Sequence, residues 1–400
     1  MRTKRIPKRT TGWVLVLLCH AIPVTAQIDQ LPHPDTTSGN FFGVAVAIDG
    51  TRALVGASGE HSCLEDGGAA YLFELDLNTR RWHRVARLLA GDCHQRRFFG
   101  RSVALSSSRA LVAASNEENF RRDPDMAYVF ERDTSGSWQQ TATLTTGSVY
   151  EDGTTGTVVA LEDNYAILTT WGETSTGSYG GAAYVFEYDD ATKQWNHAAR
   201  LTGSGGVRHG VFGGNASMDG NRLVVPSSRY LQNRPGSAYI FEHDLTGAWE
   251  EVAHIQALDD FFISVDIDRN RLLVGESRSG NSGSGEATLF APDSTGAWQL
   301  LARLSPPTPY KHGAFGSKVA LSGDRALVTG FDEQLKLNIN IDRVVYVYAY
   351  DQSTETWGYQ SIIDIGHAAF GSAIDLDGHF ALIGASSENV PGAAYIVRIP

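Results

Sequence analysis

The side chains that could carry chemistry are spread along the chain without a recognised catalytic signature. No H-E-x-x-H, G-x-S-x-G, phosphate-binding glycine loop or C-x-x-C occurs in the 400 residues, so metallopeptidase, serine-hydrolase, nucleotide-binding and dithiol chemistries have no motif behind them. Glu117, Glu118, Glu151, Asp152 and Glu173 are carboxylates of the kind that cleave glycosidic bonds in pairs. Sequence does not pair them in space, so a polysaccharide hydrolase or lyase stays an alternative, and no catalytic residue is assigned. His94, His209, His312 and His367 lack a companion carboxylate at matching spacing, which reads as solvated loop histidines and not as metal ligands. Aromatic residues outside any regular pattern are more informative. Trp171, with Phe120, Tyr150, Tyr179, Tyr230 and Tyr310, supplies an aromatic, acid-rimmed surface suited to a protein loop or a sugar ring.

These residues must be positioned by a repeat, because the chain is self-similar throughout. The run FGVAVAIDGTRALVGAS from Phe42 returns from Phe99, Phe315 and Phe370, and in weaker form from Thr155, Phe212 and Phe261. The seven starts lie 57, 56, 57, 49, 54 and 55 residues apart. Each unit reads as four strands: the F-G segment, a second strand after a tight turn, a Gly-Ala-Ala-Tyr run, and a segment opening on tryptophan. Trp82, Trp138, Trp195, Trp249, Trp298 and Trp357 mark that fourth segment in six units, and the last unit lacks it. The residues Gln27 to Leu31 have its spacing, since Leu31 precedes Phe42 by the same 11 residues that separate Leu88 from Phe99. The expected fold is therefore all-β, a seven-bladed β-propeller of four-stranded blades, closed by the N-terminal strand completing the last blade.

The Phe-Gly pairs, the Gly-Ala pairs such as Gly56-Ala57 and Gly384-Ala385, and the units in register resemble the FG-GAP repeat family. That repeat also builds the propeller of integrin alpha chains, and the resemblance runs over residues 27–400. Units three and five depart most, with Thr155 for the phenylalanine and Phe262 for the glycine. Integrin-type repeats imply calcium in an oxygen-rich D-x-D/N-x-D-G turn between the first two strands. The turns here are short, and Asp375-Leu376-Asp377-Gly378 comes closest with only two carboxylates, so no cofactor and no metal is expected.

The repeated residues read as structural. The six register tryptophans are packing residues between blades. Asp133, Asp244 and Asp293, each followed three residues later by glycine, are hairpin turns in which Asp accepts backbone N–H groups. Arg52, Arg109, Arg222, Arg271 and Arg325 recur ten residues after each unit start, a register that predicts a bond to a neighbouring turn.

Residues 1–26 read as a signal peptide: Arg2, Lys4, Arg5, Lys8 and Arg9 precede the apolar run Trp13 to Leu18, with Val24-Thr25-Ala26 as a cleavage site. The single propeller then occupies residues 27–400, secreted or periplasmic, with no membrane span in the mature chain. Loss of those five cations takes the net charge from −12 to −17, which repels phosphate backbones and argues against nucleic acid as a partner. Cys63 and Cys93, the mature cysteines, suit one disulfide in an exported chain. Long connections between strands two and three and between blades should emerge on one face, where binding residues of a rigid scaffold usually sit. The function expected from these features is a secreted, integrin-propeller-like binding or adhesion protein that recognises an extracellular protein or carbohydrate through that face. A structural unit of an extracellular assembly is the remaining alternative.

Overall fold

The computed structural model describes residues 27–33, 39–61, 67–92, 98–106, 108–114, 126–147, 157–170, 180–204, 210–229, 236–256, 263–277, 283–332, 343–367 and 369–399. These form seven antiparallel sheets arranged in a ring, with strands and turns as the only regular structure among the described residues. Blade one shows the plan: strands at Phe42–Asp49, Arg52–Ala57, Ala69–Asp76 and Arg81–Leu88 pair in chain order. Burial follows from that order. The second strand is buried almost throughout, whereas the fourth alternates, with Trp82 and Leu88 buried and His83 to Val85 exposed, as an outer strand with one wet face must.

The ring closes as the spacing predicts. Ile28–Gln30 pairs antiparallel with Ala393–Arg398, Ile28 opposite Val397 and Gln30 opposite Tyr395. Leu31 then donates its N–H to the Ala394 carbonyl at 2.9 Å and buries its side chain to 2% exposure. Blade four differs from the expected plan. Its first strand is broken into Gly210–Phe212 and Ser217–Asp219, with Gly213 and Gly214 in the gap; the positive φ of Gly213 is shared with Gly43 and Gly371, which sit inside unbroken strands.

The motif glycines are explained by how neighbouring blades meet. A Cβ on Gly56 of blade one would lie 1.9 Å from the Gly100 carbonyl oxygen of blade two. The same contact recurs between Gly275 and Gly316 at 2.2 Å, and between Gly384 and Gly43 at 2.0 Å. Phe99 and Phe315, which precede two of these glycines, also bridge in parallel to Gly68 and Gly285 of the preceding blade. Backbone thus packs directly on backbone, and the adjoining phenylalanine rings bury completely or nearly so: Phe42, Phe99, Phe315 and Phe370 are at most 1% exposed.

The outer part of each junction is held by a second repeated contact. The side chain ten residues after a unit start packs on the register tryptophan of the next blade. Arg109 lies 5.4 Å from the Trp195 ring, Arg222 5.9 Å from Trp298 and Arg271 5.8 Å from Trp357. Tyr165 and Phe380 occupy that register in blades three and seven, and meet Trp249 and Trp82 edge-on at 5.8 and 5.9 Å. The arginines also bond as their register implies. Arg271 Nη1 donates to the Gly323 carbonyl (3.0 Å) and Asp324 Oδ1 (2.9 Å) of the next turn, and Arg109 Nη1 to the Asp163 carbonyl (2.9 Å) and Asn164 Oδ1 (3.0 Å). Arg52 and Arg222 instead pair within their own blades, with Glu74 at 3.1 Å and Glu242 at 2.5 Å.

The two kinds of glycine in the repeat should respond differently to a methyl group. Gly50 has φ of 56° in open space, so Gly50→Ala costs about 1 kcal/mol of backbone strain. Gly56→Ala drives a methyl into a backbone carbonyl that cannot rotate away and should cost several times as much. Urea unfolding of the two variants checks the order, and equal losses would contradict the packing described.

Candidate functional site

Two regions were singled out by sequence: the long-loop face and the central channel. Phe120, Tyr150, Trp171, Tyr179 and Tyr230 lie outside the described residues, as do Cys63, Cys93 and the carboxylates Glu117, Glu118, Glu151, Asp152 and Glu173. His94 and His209 do too. Tyr310 is described. It sits half-buried in the connection from Trp298–Leu304 to Val319–Ser322, and its carbonyl accepts the Gly313 N–H at 2.9 Å. Antiparallel strand order puts that connection on the same face as the strand two-to-three loops. His312 is exposed beside it with φ of 64°, and the His367 ring accepts the Ala369 N–H at 3.4 Å.

The channel is lined by the first strand of every blade, and its polar residues follow a rule that the sequence reading did not find. Seven residues after each unit start stands Asp49, Ser106, Glu162, Asp219, Asp268, Ser322 or Asp377. Five of these side chains reach the next blade and accept the N–H of the residue that opens its hairpin. Asp219 takes Arg269 N–H (2.7 Å), Asp268 takes Gly323 (2.5 Å), Ser322 takes Gly378 (3.0 Å) and Asp377 takes Gly50 (2.6 Å). Glu162 likewise accepts from Gly220. Two residues deeper, Ser217 accepts from Ile267 (3.1 Å), Asp266 from Leu321 (2.7 Å) and Asp375 from Ile48 (2.7 Å). A third layer holds Ser102 on Val159 N–H and Ser264 on Val319 N–H, both at 3.2 Å.

These contacts have an electrostatic consequence. Carboxylates from several blades converge on a narrow space, and burial together with mutual repulsion disfavours their charge. Burial and then the Asp375 charge push Asp266 up to about 7, even though Ser217 donates to it at 2.5 Å. Burial pushes Asp375 up to about 6 against the N–H bonds it accepts, with Asp377 and Asp49 adding to the rise. Glu162 is pushed up to about 7 by burial and by Asp163 and Asp219. Asp375 and Asp377, the pair nearest a calcium loop in sequence, are thus engaged with backbone of blade one. No group of three or more His, Cys, Asp or Glu among the described residues is arranged to hold a metal ion.

A second cluster missed from sequence lies at the long-loop end of blade one. Glu60 is 6% exposed, accepts the Tyr71 hydroxyl at 2.6 Å and an Arg87 guanidinium N–H, and has His33 Nε2 at 3.6 Å. Burial opposes its charge, but the close approach of His33 and the hydrogen bonds from Tyr71 and Arg87 outweigh burial and hold its carboxyl below the ordinary value. Burial and Glu60 push the Tyr71 hydroxyl up. The arrangement is structural, because the matching tyrosines find carboxylates elsewhere: Tyr128 bonds Asp92 (2.9 Å) and Tyr346 bonds Asp332 (3.3 Å). His33 stacks on Phe42 at 4.1 Å, so the segment after the closure strand is pinned to blade one. The Asp turns are also as expected: Asp133 Oδ1 accepts the N–H groups of Ser135 and Ser137, and Asp244 those of Thr246 and Ala248.

The channel carboxylates make stability depend on pH with a definite sign. Asp266, Asp375 and Glu162 titrate near 6 to 7 when folded and near 4 when unfolded. Their contribution is complete below about pH 4 and is lost as pH rises through about 6 to 7. Asp266→Asn removes the charge while an amide oxygen still accepts the Leu321 N–H, so the variant should lose less stability than the parent between pH 5 and pH 8. Asp266→Ala leaves that N–H without its acceptor and should cost about 1–3 kcal/mol at either pH. Denaturant midpoints at the two pH values test both, and an unchanged slope in Asp266→Asn would contradict the assignment.

Comparison with known proteins supports this reading of the repeat. The FG-GAP repeat profile matches residues 26–73 and 82–130. Those stretches run from the closure strand through the third strand of blade one, and from Trp82 through the third strand of blade two. No curated protein matches the chain. No helix among the described residues is long and apolar enough to cross a membrane. An FG-GAP propeller points to a protein-binding or structural role. The profile match places FG-GAP repeats in blades one and two, and with the backbone contacts made by the motif glycines and the seven closed blades the fold is a seven-bladed β-propeller consistent with an integrin-like FG-GAP propeller.

Proposed function

We propose that the protein is an extracellular binding module, with residues 1–26 removed on export and residues 27–400 forming one propeller, which recognises a protein or glycan through its long-loop face. The observation that carries this reading is the contrast between the two faces of the ring. On one face the connections are turns such as Gly50–Thr51 and Gly378–His379, with channel carboxylates and hydroxyls bonded to them. The other face receives the long strand two-to-three and inter-blade connections, which differ in length and composition from unit to unit. A scaffold whose conserved geometry is used for blade-to-blade bonding leaves recognition to those variable loops.

The binding test compares the faces directly. Tyr310→Ala and Trp171→Ala on the long-loop side should each weaken capture of the ligand by about tenfold or more, as truncation of an aromatic anchor does. Leu245→Ser, at a fully exposed position in the turn before Trp249 on the opposite face, should leave it unchanged. Glycan-array and pull-down screens supply the ligand. Loss of binding in Leu245→Ser with retention in the other two would reverse the assignment of faces.

A further inference from the structure

The junction between blades six and seven departs from the three that pack glycine on glycine. The strand-two position is Gly56, Gly275 and Gly384 in blades one, five and seven, Ala113 in blade two, Pro226 in blade four and Thr329 in blade six. Blade three also has threonine there, but Thr169 donates across the junction to the Gly213 carbonyl at 2.7 Å. The Thr329 hydroxyl stays inside its own blade, accepting the Lys318 N–H at 2.9 Å and bonding Ser317 Oγ at 2.7 Å. The facing glycine records the difference. Gly43 and Gly316 approach third-strand carbonyls of Ala393 and Glu286, with Cβ distances of 2.2 and 2.4 Å, whereas Gly371 meets only side chains, Thr329, Val345 and Arg343. The Arg343 stem lies 3.6 Å from that position, so it occupies space that backbone fills elsewhere.

The innermost strand of blade six departs as well. Three residues after the unit start, Ser102, Asn215 and Ser264 bond the next blade, Ala45, Val158 and Ala373 are apolar, and blade six has the charged Lys318. An ammonium cannot accept an N–H. Lys318 keeps part of its side chain open to solvent in the segment leading into the innermost strand, while protein crowds round its ammonium end. Burial and then the Arg343 charge push its ammonium below the ordinary value, and burial does the same to the Arg343 guanidinium. Arg343 lies over the Phe331 ring at 5.4 Å. Neither cation has a carboxylate partner among the described residues; the nearest channel carboxylates, Asp266 and Asp375, belong to the layer two residues further along the strand, roughly 7 Å away, and are already bonded to backbone N–H groups.

We propose that the long-loop mouth of the channel at this junction is an anion-binding site, built from Lys318 and Arg343, that takes a single carboxylate. The guanidinium suits a planar two-oxygen acceptor, and the ammonium adds a point charge beside it. A net charge of −12 for the whole chain disfavours a polyanion and leaves one carboxylate as the fitting partner. The source we favour is an acidic side chain on a partner protein's loop, a choice that rests on the long-loop reading above. The anion site itself does not depend on it.

The test uses the mature protein with sodium acetate and sodium succinate as probes, against sodium chloride at constant ionic strength. The NMR signal of the Lys318 ε-methylene should shift saturably with acetate and succinate and not with chloride. Lys318→Met and Arg343→Met should each weaken the apparent affinity by about tenfold without lowering the melting temperature, since each substitution removes a repulsion. An unchanged Lys318 signal, an equal response to chloride, or full carboxylate affinity in Arg343→Met would overturn the site. The Lys318 signal in the parent protein decides the matter even if a variant fails to fold. A short acetylated peptide centred on aspartate that competes with succinate supports the protein source, and succinate binding without peptide binding overturns that source while keeping the site. Failure of the Tyr310→Ala and Trp171→Ala comparison would sink the long-loop reading and leave the acetate result standing.

Discussion

Seven sheet edges meet at the axis of this ring, and each carries backbone N–H groups that no further strand can satisfy. An unpaired buried N–H costs as much as a lost hydrogen bond, and an open edge also invites pairing with another chain. The described junctions answer this with side chains. A carboxylate or hydroxyl on one inner strand accepts from the inner strand of the next blade, at intervals of two residues along the channel. Because side chains two residues apart share one face of a strand, one face of each inner strand serves the neighbouring blade. The rest of the ring depends on this bonding: it fixes the angle at which blades meet, and the close glycine contacts then follow.

The same bonding accounts for the unusual acidity at one end of the channel. Aspartate is a good acceptor for a backbone N–H, but several of them facing a common axis repel one another. Asp266 accepts the Leu321 N–H and a hydroxyl from Ser217 and is still pushed up to about 7. Taken alone, a buried carboxyl titrating near neutrality is a feature of general acids. Here the repeat supplies the other explanation, since the serines at equivalent positions, Ser217 and Ser322, make the same inter-blade bond without any titration. The raised values are a by-product of using aspartate where serine also serves.

Much of the architecture was legible in the sequence, because backbone-on-backbone contact tolerates only glycine and so leaves an unmistakable spacing. The closure strand was found from the 11 residues between Leu31 and Phe42 alone. The register arginines and tryptophans were read as structural, and their stacking across junctions bears that out. The inner-strand acceptors were not found. Asp, Ser and Glu alternate at those positions with residues that do not stand out, and only the ring shows that each faces the next blade's N–H. The Glu60 cluster was missed for a similar reason: His33, Glu60, Tyr71 and Arg87 come from four separate segments. The broken first strand of blade four left no distinct signal, since Phe212-Gly213 is another copy of the motif pair and takes the same backbone conformation as Gly43 and Gly371.

Regularity of this kind makes departures informative. Where junctions share one bonding scheme, a charged side chain at an inner-strand position that is otherwise polar-neutral or apolar calls for its own explanation. Thr169 is compensated, since its hydroxyl reaches the Gly213 carbonyl that a glycine would have packed against. Thr329 and Lys318 are not compensated across their junction: the hydroxyl turns inward, and the ammonium is crowded by protein and by the charge of Arg343. Two like charges in one confined place raise the energy of the folded ring, and packing gives them no return. A bound counter-charge removes that cost, which is the physical reason for placing a ligand contact at blade six and not at a junction where the repeat is intact.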